Sequence, residues 1–286
     1  MPPLKPVLDA ATERLRQAGV PSPRHDAEVL AAHVLKVRRQ GLWLVPEITP
    51  SVLAAYQSLV ADRAERIPLQ HLTGVTGFRH LELAVGPGVF IPRPETELLV
   101  DAVLEGLAGV VAPVVVDVCS GSGAVALSIA HELPGAAVYA IEKEPLALAW
   151  AERNAARQAA AGDPPITLVP GDIARPGLLA ELDGAVDAVV GNPPYIPDGM
   201  ESIDPEVTEH DPPAALWGGP DGLRLERAAV SLAARLLRPG GFAALEHADT
   251  HGETAPALFR DGWTDVTDHR DLAGKPRYTT ARRIVP

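Results

Sequence analysis

The sequence predicts an α/β protein in three parts: a small N-terminal helical bundle, a β-hairpin linker, and an open, mostly parallel sheet with helices on both faces. Three observations predict it. The first 70 residues carry 3.6-residue apolar periodicity and almost no strand signal. Residues 74–85 switch to alternating apolar and polar residues interrupted by glycines. From about residue 112 a pattern of strand, glycine turn and helix repeats, which is how parallel strands are connected. The expected boundaries are a helical domain over 1–73, a hairpin linker over 74–85 and an α/β domain over 86–286.

In the bundle, Leu4, Val7, Leu8, Ala11, Leu15 and Ala18 share one helical face, and Gly19 and Pro21 end that helix. Ser22-Pro23 opens a second, with Ala27, Leu30, Ala31, Val34 and Leu35 on its apolar side. Thr49-Pro50 reads as a cap with proline at the first helical position, leading into Val52, Leu53, Tyr56, Leu59, Val60 and Ala64. In the larger domain, 114–118 reads as a strand and 124–132 as a helix. A strand over 137–141 follows, then a helix through Leu148, Trp150 and Ala155. Further strands are expected at 166–169, 186–190 and 242–246, with a helix near 223–237 before the last. Residues 265–267 and 278–283 read as late strands at an antiparallel edge.

Composition narrows the function classes. The 286 residues are 47% hydrophobic and 22% charged, as in a globular protein. No apolar stretch reaches the roughly 18 residues needed to span a bilayer. Met1-Pro2-Pro3-Leu4-Lys5-Pro6 lacks the apolar core of a signal peptide, so a soluble cytoplasmic protein is expected, with no membrane partner. The single cysteine, Cys119, excludes an internal disulfide and a Cys-based metal cluster, and the nine histidines show no ligand spacing, so no metal is expected. A net charge of −12 opposes broad contact with nucleic-acid phosphates. Residues 1–73 carry 9 basic against 7 acidic residues, whereas 74–286 carry 16 against 30. The split is either ordinary solvated surface or a mildly basic front module that docks an acidic partner.

Val114-Val115-Val116-Asp117-Val118-Cys119-Ser120-Gly121-Ser122-Gly123-Ala124 runs from strand through a glycine turn into a helix. The glycines let backbone approach a ligand, and the helix start offers free N–H groups. The loop also fits a dinucleotide fingerprint, but Asp117 lies four residues before Gly121, where a carboxylate would repel a pyrophosphate. A sulfonium ligand with an α-amino group is cationic at that end. Glu142 ends the second strand about 20 residues on, placed to accept from ribose hydroxyls. Asp172 ends the third, placed to accept from an adenine amino group, with Ile173 against the ring. Together these acids point to S-adenosylmethionine. Cys119 is expected to be a small packing residue.

Asn192-Pro193-Pro194-Tyr195 follows the fourth strand. Isolated, Asn-Pro-Pro is a rigid turn; one strand from such a cofactor loop it is a clamp for a planar –NH2 group. The prolines fix the backbone, and the Asn192 side-chain oxygen with the Pro193 carbonyl can accept both hydrogens of an amide or amino nitrogen. Those acceptors aim the nitrogen and stabilise positive charge as it develops, while Tyr195 packs over the group. No general base is needed, because an N-alkylated, protonated amide is very acidic. An exocyclic –NH2 occurs on glutamine and on adenine.

With these motifs the chain resembles the HemK/PrmC family, the protein-(glutamine-N5) methyltransferases that act on peptide-chain release factors, over nearly its whole length. Phe90-Ile91-Pro92-Arg93-Pro94-Glu95-Thr96-Glu97-Leu98-Leu99 matches a segment that in the family borders the cofactor and substrate cavity. The stretch from Glu209 to Leu223 is similar to the family's post-motif loop, and Asp271-Leu272-Ala273-Gly274-Lys275 to its C-terminal signature. The resemblance implies a class I, Rossmann-like S-adenosylmethionine-dependent methyltransferase whose front helices dock the substrate. By position, Asp117 and Cys119, Ser120, Gly121, Ser122 and Gly123 would form the cofactor loop, with Glu142, Asp172, Ile173 and Asn192. Asn192, Pro193, Pro194, Tyr195, Phe90, Arg93 and Thr96 would meet the substrate. Cys119 stands where a loop glycine is common, and its small side chain is expected to fit. Glu246-His247-Ala248 stands where Glu-Ile-Gly is expected, a departure expected to touch no catalytic role.

The long, acidic 196–222 segment is expected to rim the substrate site, with Asp198, Glu201, Asp204 and Glu206 facing a basic loop of the partner. Two rival substrates are a glutamine of a ribosomal protein and adenine N6 of DNA. The acidity of residues 74–286 and the lack of a recognisable target-recognition region oppose the second.

Overall fold

The computed structural model describes residues 1–200 and 204–285. The chain forms two compact units. The smaller comprises residues 1–75 together with the short helix α8 (Pro205–His210), and the larger comprises the rest.

In the smaller unit the predicted stripes become α1 (Leu4–Gln17), α2 (Pro23–Leu35) and α3 (Pro50–Ala64), followed by α4 (Leu69–Thr73). Leu8, Leu15, Leu30, Tyr56 and Val60 fill one core. Thr49 caps α3, its hydroxyl oxygen accepting from the Val52 N–H at 3.3 Å, with Pro50 opening the helix. Gly19, at φ +73°, ends α1 in the left-handed turn that a side chain would resist. Arg63 is buried on α3, and its guanidinium donates to Asp26 at 2.8 Å and to Glu206 at 2.9 Å. Arg66 donates to Glu206 at 2.6 Å and to Asp204 at 3.3 Å. Two of the four acids expected to face a substrate are thus paired within this unit. The partners are two arginines, Arg63 on α3 and Arg66 just beyond its C-terminal end. Glu201 lies outside the described residues.

The larger unit is built on a seven-stranded sheet in the order β5-β4-β3-β6-β7-β9-β8. The strands are β3 (Val114–Val118), β4 (Ala137–Glu142), β5 (Thr167–Pro170), β6 (Val186–Gly191), β7 (Leu237–Glu246), β8 (Trp263–Arg270) and β9 (Pro276–Arg283). The first five run parallel, and β9 is antiparallel to both β7 and β8. Strand residues are buried on both faces. Val115, Ala188 and Val190 join a core with α5 (Glu97–Gly106) and α6 (Ala124–Glu132), while Val116, Val118 and Val189 join one with α9 (Arg224–Leu236). Side chains alternate across a strand, so a valine run serves two cores at once. A further larger-unit helix, α7 (Pro145–Ala161), lies between β4 and β5 in sequence.

The hairpin of β1 (Val75–Phe78) and β2 (Leu81–Ala84) is not a free-standing linker. Phe78, Leu81 and Leu83 are buried in the core that includes α5 and α6. The sheet order reverses at β3 and β6: β4 and β5 lie on one side, β7 on the other. In open α/β sheets, ligands bind beyond the strand ends at such a reversal.

Candidate active site

Beyond β3 the chain curls through Cys119, Gly121 and Gly123, all with left-handed φ of +56°, +56° and +82°. For Cys119 that conformation costs on the order of 1–2 kcal/mol. A glycine at this position is therefore favoured by backbone conformation, and side-chain size is the lesser issue. The curl is pinned from several sides. The Ser120 N–H donates to the Ile141 carbonyl at 3.0 Å, and the Gly121 N–H to Glu142 Oε2 at 2.8 Å. Asn154, fully buried on α7, donates to the Ser122 carbonyl at 3.0 Å. Sequence reading missed Asn154; its only signal was a polar residue within an Ala-rich helix.

Glu142 sits at the end of β4. Its Oε1 accepts from the N–H groups of Lys143 and Glu144, both at 2.8 Å. With Gly121 on Oε2, one acceptor direction remains on that oxygen, room for one of the two ribose hydroxyls expected there. Burial still raises the Glu142 carboxyl above its ordinary range despite these three donors. Asp117, buried within β3, accepts from the Ala126 N–H at 3.2 Å. Burial first, and the nearby Glu142 charge, push it well above the carboxylate range. Asp172 is more open: the Ala174 N–H lowers it, and Lys143 lies 3.1 Å away. Ile173 beside it is buried. A cation is what two buried acids next to an open glycine loop favour. A Cβ on Gly121 would meet nothing within 4 Å, and Ser120 Oγ is buried with no hydrogen-bond partner among the described residues. These features fit the sulfonium and α-ammonium end of S-adenosylmethionine.

The sheet register places the second motif beside this loop. Val118 lies opposite Ile141 on one side and Gly191 on the other, so Cys119, Glu142 and Asn192 leave three adjacent strand ends. A Cβ on Gly191 would come within 2.4 Å of the Val118 carbonyl oxygen, so only glycine permits this approach. The backbone of Pro194, Tyr195 and Ile196 is fixed from the segment 216–222. The Ile196 N–H donates to Leu216 at 2.9 Å, and Gly218 N–H donates to Ile196 at 2.8 Å. A Cβ on Gly218 would sit 2.6 Å from the Pro194 carbonyl oxygen, and one on Gly222 2.3 Å from that of Tyr195. The post-motif loop is thus a brace for the clamp.

Asn192 Nδ2 donates to Thr96 Oγ1 at 3.2 Å, and the Tyr195 hydroxyl donates to Glu246 Oε1 at 3.4 Å. Burial raises the Tyr195 hydroxyl above its ordinary range, so it stays protonated. Thr96 therefore joins the motif. Phe90 and Arg93 instead stack on each other, guanidinium 4.9 Å over the ring, and Arg93 donates to Asp211 at 2.7 Å. Glu246, which the sequence reading kept out of the site, is bonded to it.

Buried acids beside an open glycine loop, one strand from the Asn-Pro-Pro-Tyr motif, fit methyl transfer from a sulfonium donor. The fold and site define a class I S-adenosylmethionine-dependent methyltransferase. Residues 7–74 match the PrmC N-terminal domain and residues 80–209 the methyltransferase small domain. The release factor glutamine methyltransferase of Mycolicibacterium smegmatis is 52% identical over 284 residues, covering 98% of each chain. That of Streptomyces coelicolor is 48% identical, covering 96% of each. That of Mycobacterium tuberculosis H37Rv is 44% identical, over 98% of this chain and 91% of its own. The chain belongs to the release factor glutamine methyltransferase family.

Proposed function

We propose that this protein methylates the side-chain amide nitrogen, N5, of a glutamine in a peptide-chain release factor. The observation that carries the reading is Asn192 on a strand end adjacent to the glycine loop, its amide nitrogen bonded to Thr96. S-adenosylmethionine, held by the loop 119–123, Asp117, Glu142, Asp172 and Ile173, supplies an electrophilic methyl group. The chain's residues do the rest by position. Asn192 Oδ1 and the Pro193 carbonyl accept the two amide hydrogens, which fixes the plane of the glutamine amide and points its nitrogen lone pair along the line of attack. The same acceptors stabilise positive charge developing on that nitrogen. Tyr195 packs over the amide, and its hydroxyl bond to Glu246 keeps the ring in place. Phe90 and Arg93 flank the approach of the peptide. The proton leaves to water, since the methylated amide cation is strongly acidic.

The helical unit would dock the release factor, and such a partner places the enzyme in the cytoplasm. No helix among the described residues is long and apolar enough to cross a membrane. The test is incubation with isotopically labelled S-adenosylmethionine and, separately, a release factor, ribosomal proteins and duplex DNA, followed by mass mapping. Label on a release-factor glutamine is expected. Label confined to a ribosomal protein or to DNA adenine overturns the assignment.

A further inference from the structure

The turn Asp271-Leu272-Ala273-Gly274-Lys275 joins β8 to β9, and no step of the methyl transfer uses it. Leu272 is 99% exposed, more than any other large apolar side chain among the described residues. A single exposed leucine on a surface is ordinary. What sets Leu272 apart is how firmly its turn is held and where that turn lies.

Asp271 supplies the hold. It is buried, and its Oδ1 accepts from the N–H groups of Ala273 at 2.9 Å and Lys275 at 3.0 Å. Its Oδ2 accepts from the Arg277 guanidinium, from Nη2 at 2.9 Å and from Nε at 3.2 Å. Backbone bonds close the same turn: the Asp271 N–H donates to the Lys275 carbonyl at 2.8 Å, and the Gly274 N–H to the Asp271 carbonyl at 2.9 Å. Gly274 takes the left-handed φ of +77° that this closure requires. Lys275 Nζ donates to Asp249 at 2.9 Å, and Arg270 donates to the Gly274 carbonyl at 2.6 Å. The polar groups of the turn are thus engaged within the molecule. What it offers outward is the Leu272 side chain, with exposed Ala273 beside it. An apex fixed in this way gives up little conformational freedom on meeting a partner, so a small apolar contact there can contribute to affinity.

The sheet register places the turn. Gly191 lies opposite Leu245, and Glu246 opposite Tyr278, so β9 begins at the edge where β6 delivers Asn192. Because β9 is antiparallel to β7, the turn preceding it projects past the strand ends on the side of the glycine loop and the Asn-Pro-Pro-Tyr motif. The His247 N–H donates to the Arg277 carbonyl at 2.9 Å, which carries the pairing beyond Glu246 toward the turn. β7 alone separates β9 from β6, and Lys275 precedes β9 directly. Strand spacing and rise then put the apex about 10–15 Å from the amide clamp, the span of about three or four extended residues.

We propose that Leu272 is a docking residue for the protein substrate, seated on an apolar patch of that protein beside the glutamine that enters the clamp. The inference rests on the methyl-transfer reading above and names a further point at which the substrate protein is held. The occupant follows from continuity. The turn extends the ligand edge of the sheet, so a protein that delivers a glutamine to Asn192 passes within reach of the apex. The contact is apolar because Asp271 is engaged by Arg277 and Lys275 by Asp249.

The test compares wild type, Leu272→Ser and Leu272→Met in the full-length enzyme with an intact release factor. Leu272→Ser is expected to raise KM for the release factor about tenfold, the order for loss of an anchoring side chain, with kcat retained. Leu272→Met should restore most of the loss, since it returns an apolar side chain of similar volume. Melting temperature and S-adenosylmethionine affinity by calorimetry should match wild type in both variants, because the side chain is unpacked in the free enzyme. With Leu272 replaced by photoreactive p-benzoylphenylalanine, cross-linking to the release factor close to its glutamine is expected. An unchanged KM in Leu272→Ser overturns the proposal. So does a fall in kcat at unchanged KM, or a joint loss of cofactor affinity, either of which marks an effect carried through the fold. Cross-links confined to a second copy of the enzyme assign the leucine to self-association and overturn it as well. Each of these failures leaves label on the release-factor glutamine in wild type. Absence of that label from wild type refutes the functional reading itself, and this inference with it.

Discussion

Asn154 Nδ2 donates to the Ser122 carbonyl at 3.0 Å, joining α7 to the middle of the glycine loop across 32 residues of sequence. The same side chain accepts from the Ala84 N–H at 2.7 Å and donates to the Ala84 carbonyl at 3.0 Å. One buried amide thus fixes the loop that receives the cofactor and the end of β2. Asn154→Ala leaves those backbone groups unpaired in the interior, which costs about 1–3 kcal/mol for each unsatisfied group. The expected outcome is a lower melting temperature and S-adenosylmethionine affinity weakened about tenfold, from loss of loop preorganisation. Unchanged affinity by calorimetry would falsify the role assigned to Asn154.

Asn192→Ala removes the side-chain acceptor and leaves the cofactor loop untouched. Turnover on the protein substrate should fall by at least about 100-fold, the order seen when an oriented transition-state contact is lost. Binding of S-adenosylmethionine should persist. Wild-type turnover in this variant would end the clamp mechanism.

Asp117→Asn keeps the size and the bond from Ala126 but removes the ability to ionise beside a cation. If that buried acid receives the cationic end of the cofactor, S-adenosylmethionine should lose more affinity than a neutral adenosine analogue does. Equal weakening of both ligands by calorimetry would rule out the electrostatic role.

Arg63 is held between Asp26 and Glu206. Removing one partner of a buried ion pair costs about 3–5 kcal/mol, mostly from the charge left behind. Arg63→Ala should therefore lower the stability of the helical unit sharply, read by chemical denaturation. Arg63→Ala with Asp26→Asn should recover part of it, because no unpaired charge then remains. If the double variant is no more stable than the single one, the pair does not act this way.

Glu226 on α9 is fully buried, and neither carboxylate oxygen has a partner among the described residues. Burial pushes its carboxyl up to about 8, well above the unfolded value of 4.5. Between these values the folded state binds more protons than the unfolded one, so stability falls as pH rises from 4.5 to 8. Glu226→Gln removes this slope. The variant should gain melting temperature relative to wild type as the buffer moves from acid to mildly alkaline, and a constant difference across that window would contradict the assignment.

The elements that sequence made legible are those with repeated local signals. The valine run of β3, the glycine turn and the Ala-rich α6 place the cofactor loop without any tertiary information, as does Asn-Pro-Pro-Tyr after β6. The helix α5 was missed because its apolar residues follow Pro92, Pro94 and a short turn that mask its start. Asp204 and Glu206 were misassigned for a different reason. A carboxylate in a loop looks solvent-facing until the arginine that pairs with it is found, and Arg63 lies 143 residues before Glu206.

By itself, the sequence determined the succession of the main strands and most helices, the position of the glycine loop and that of the Asn-Pro-Pro-Tyr motif. These are local: periodicity, proline and glycine placement, and charge at strand ends. Only the tertiary structure decided what Asn192 and Tyr195 bond to. Asn192 Nδ2 meets Thr96, 96 residues earlier, and the Tyr195 hydroxyl meets Glu246, 51 residues further on. Hydrogen-bond direction is a property of partners in space, and no spacing along the chain encodes it.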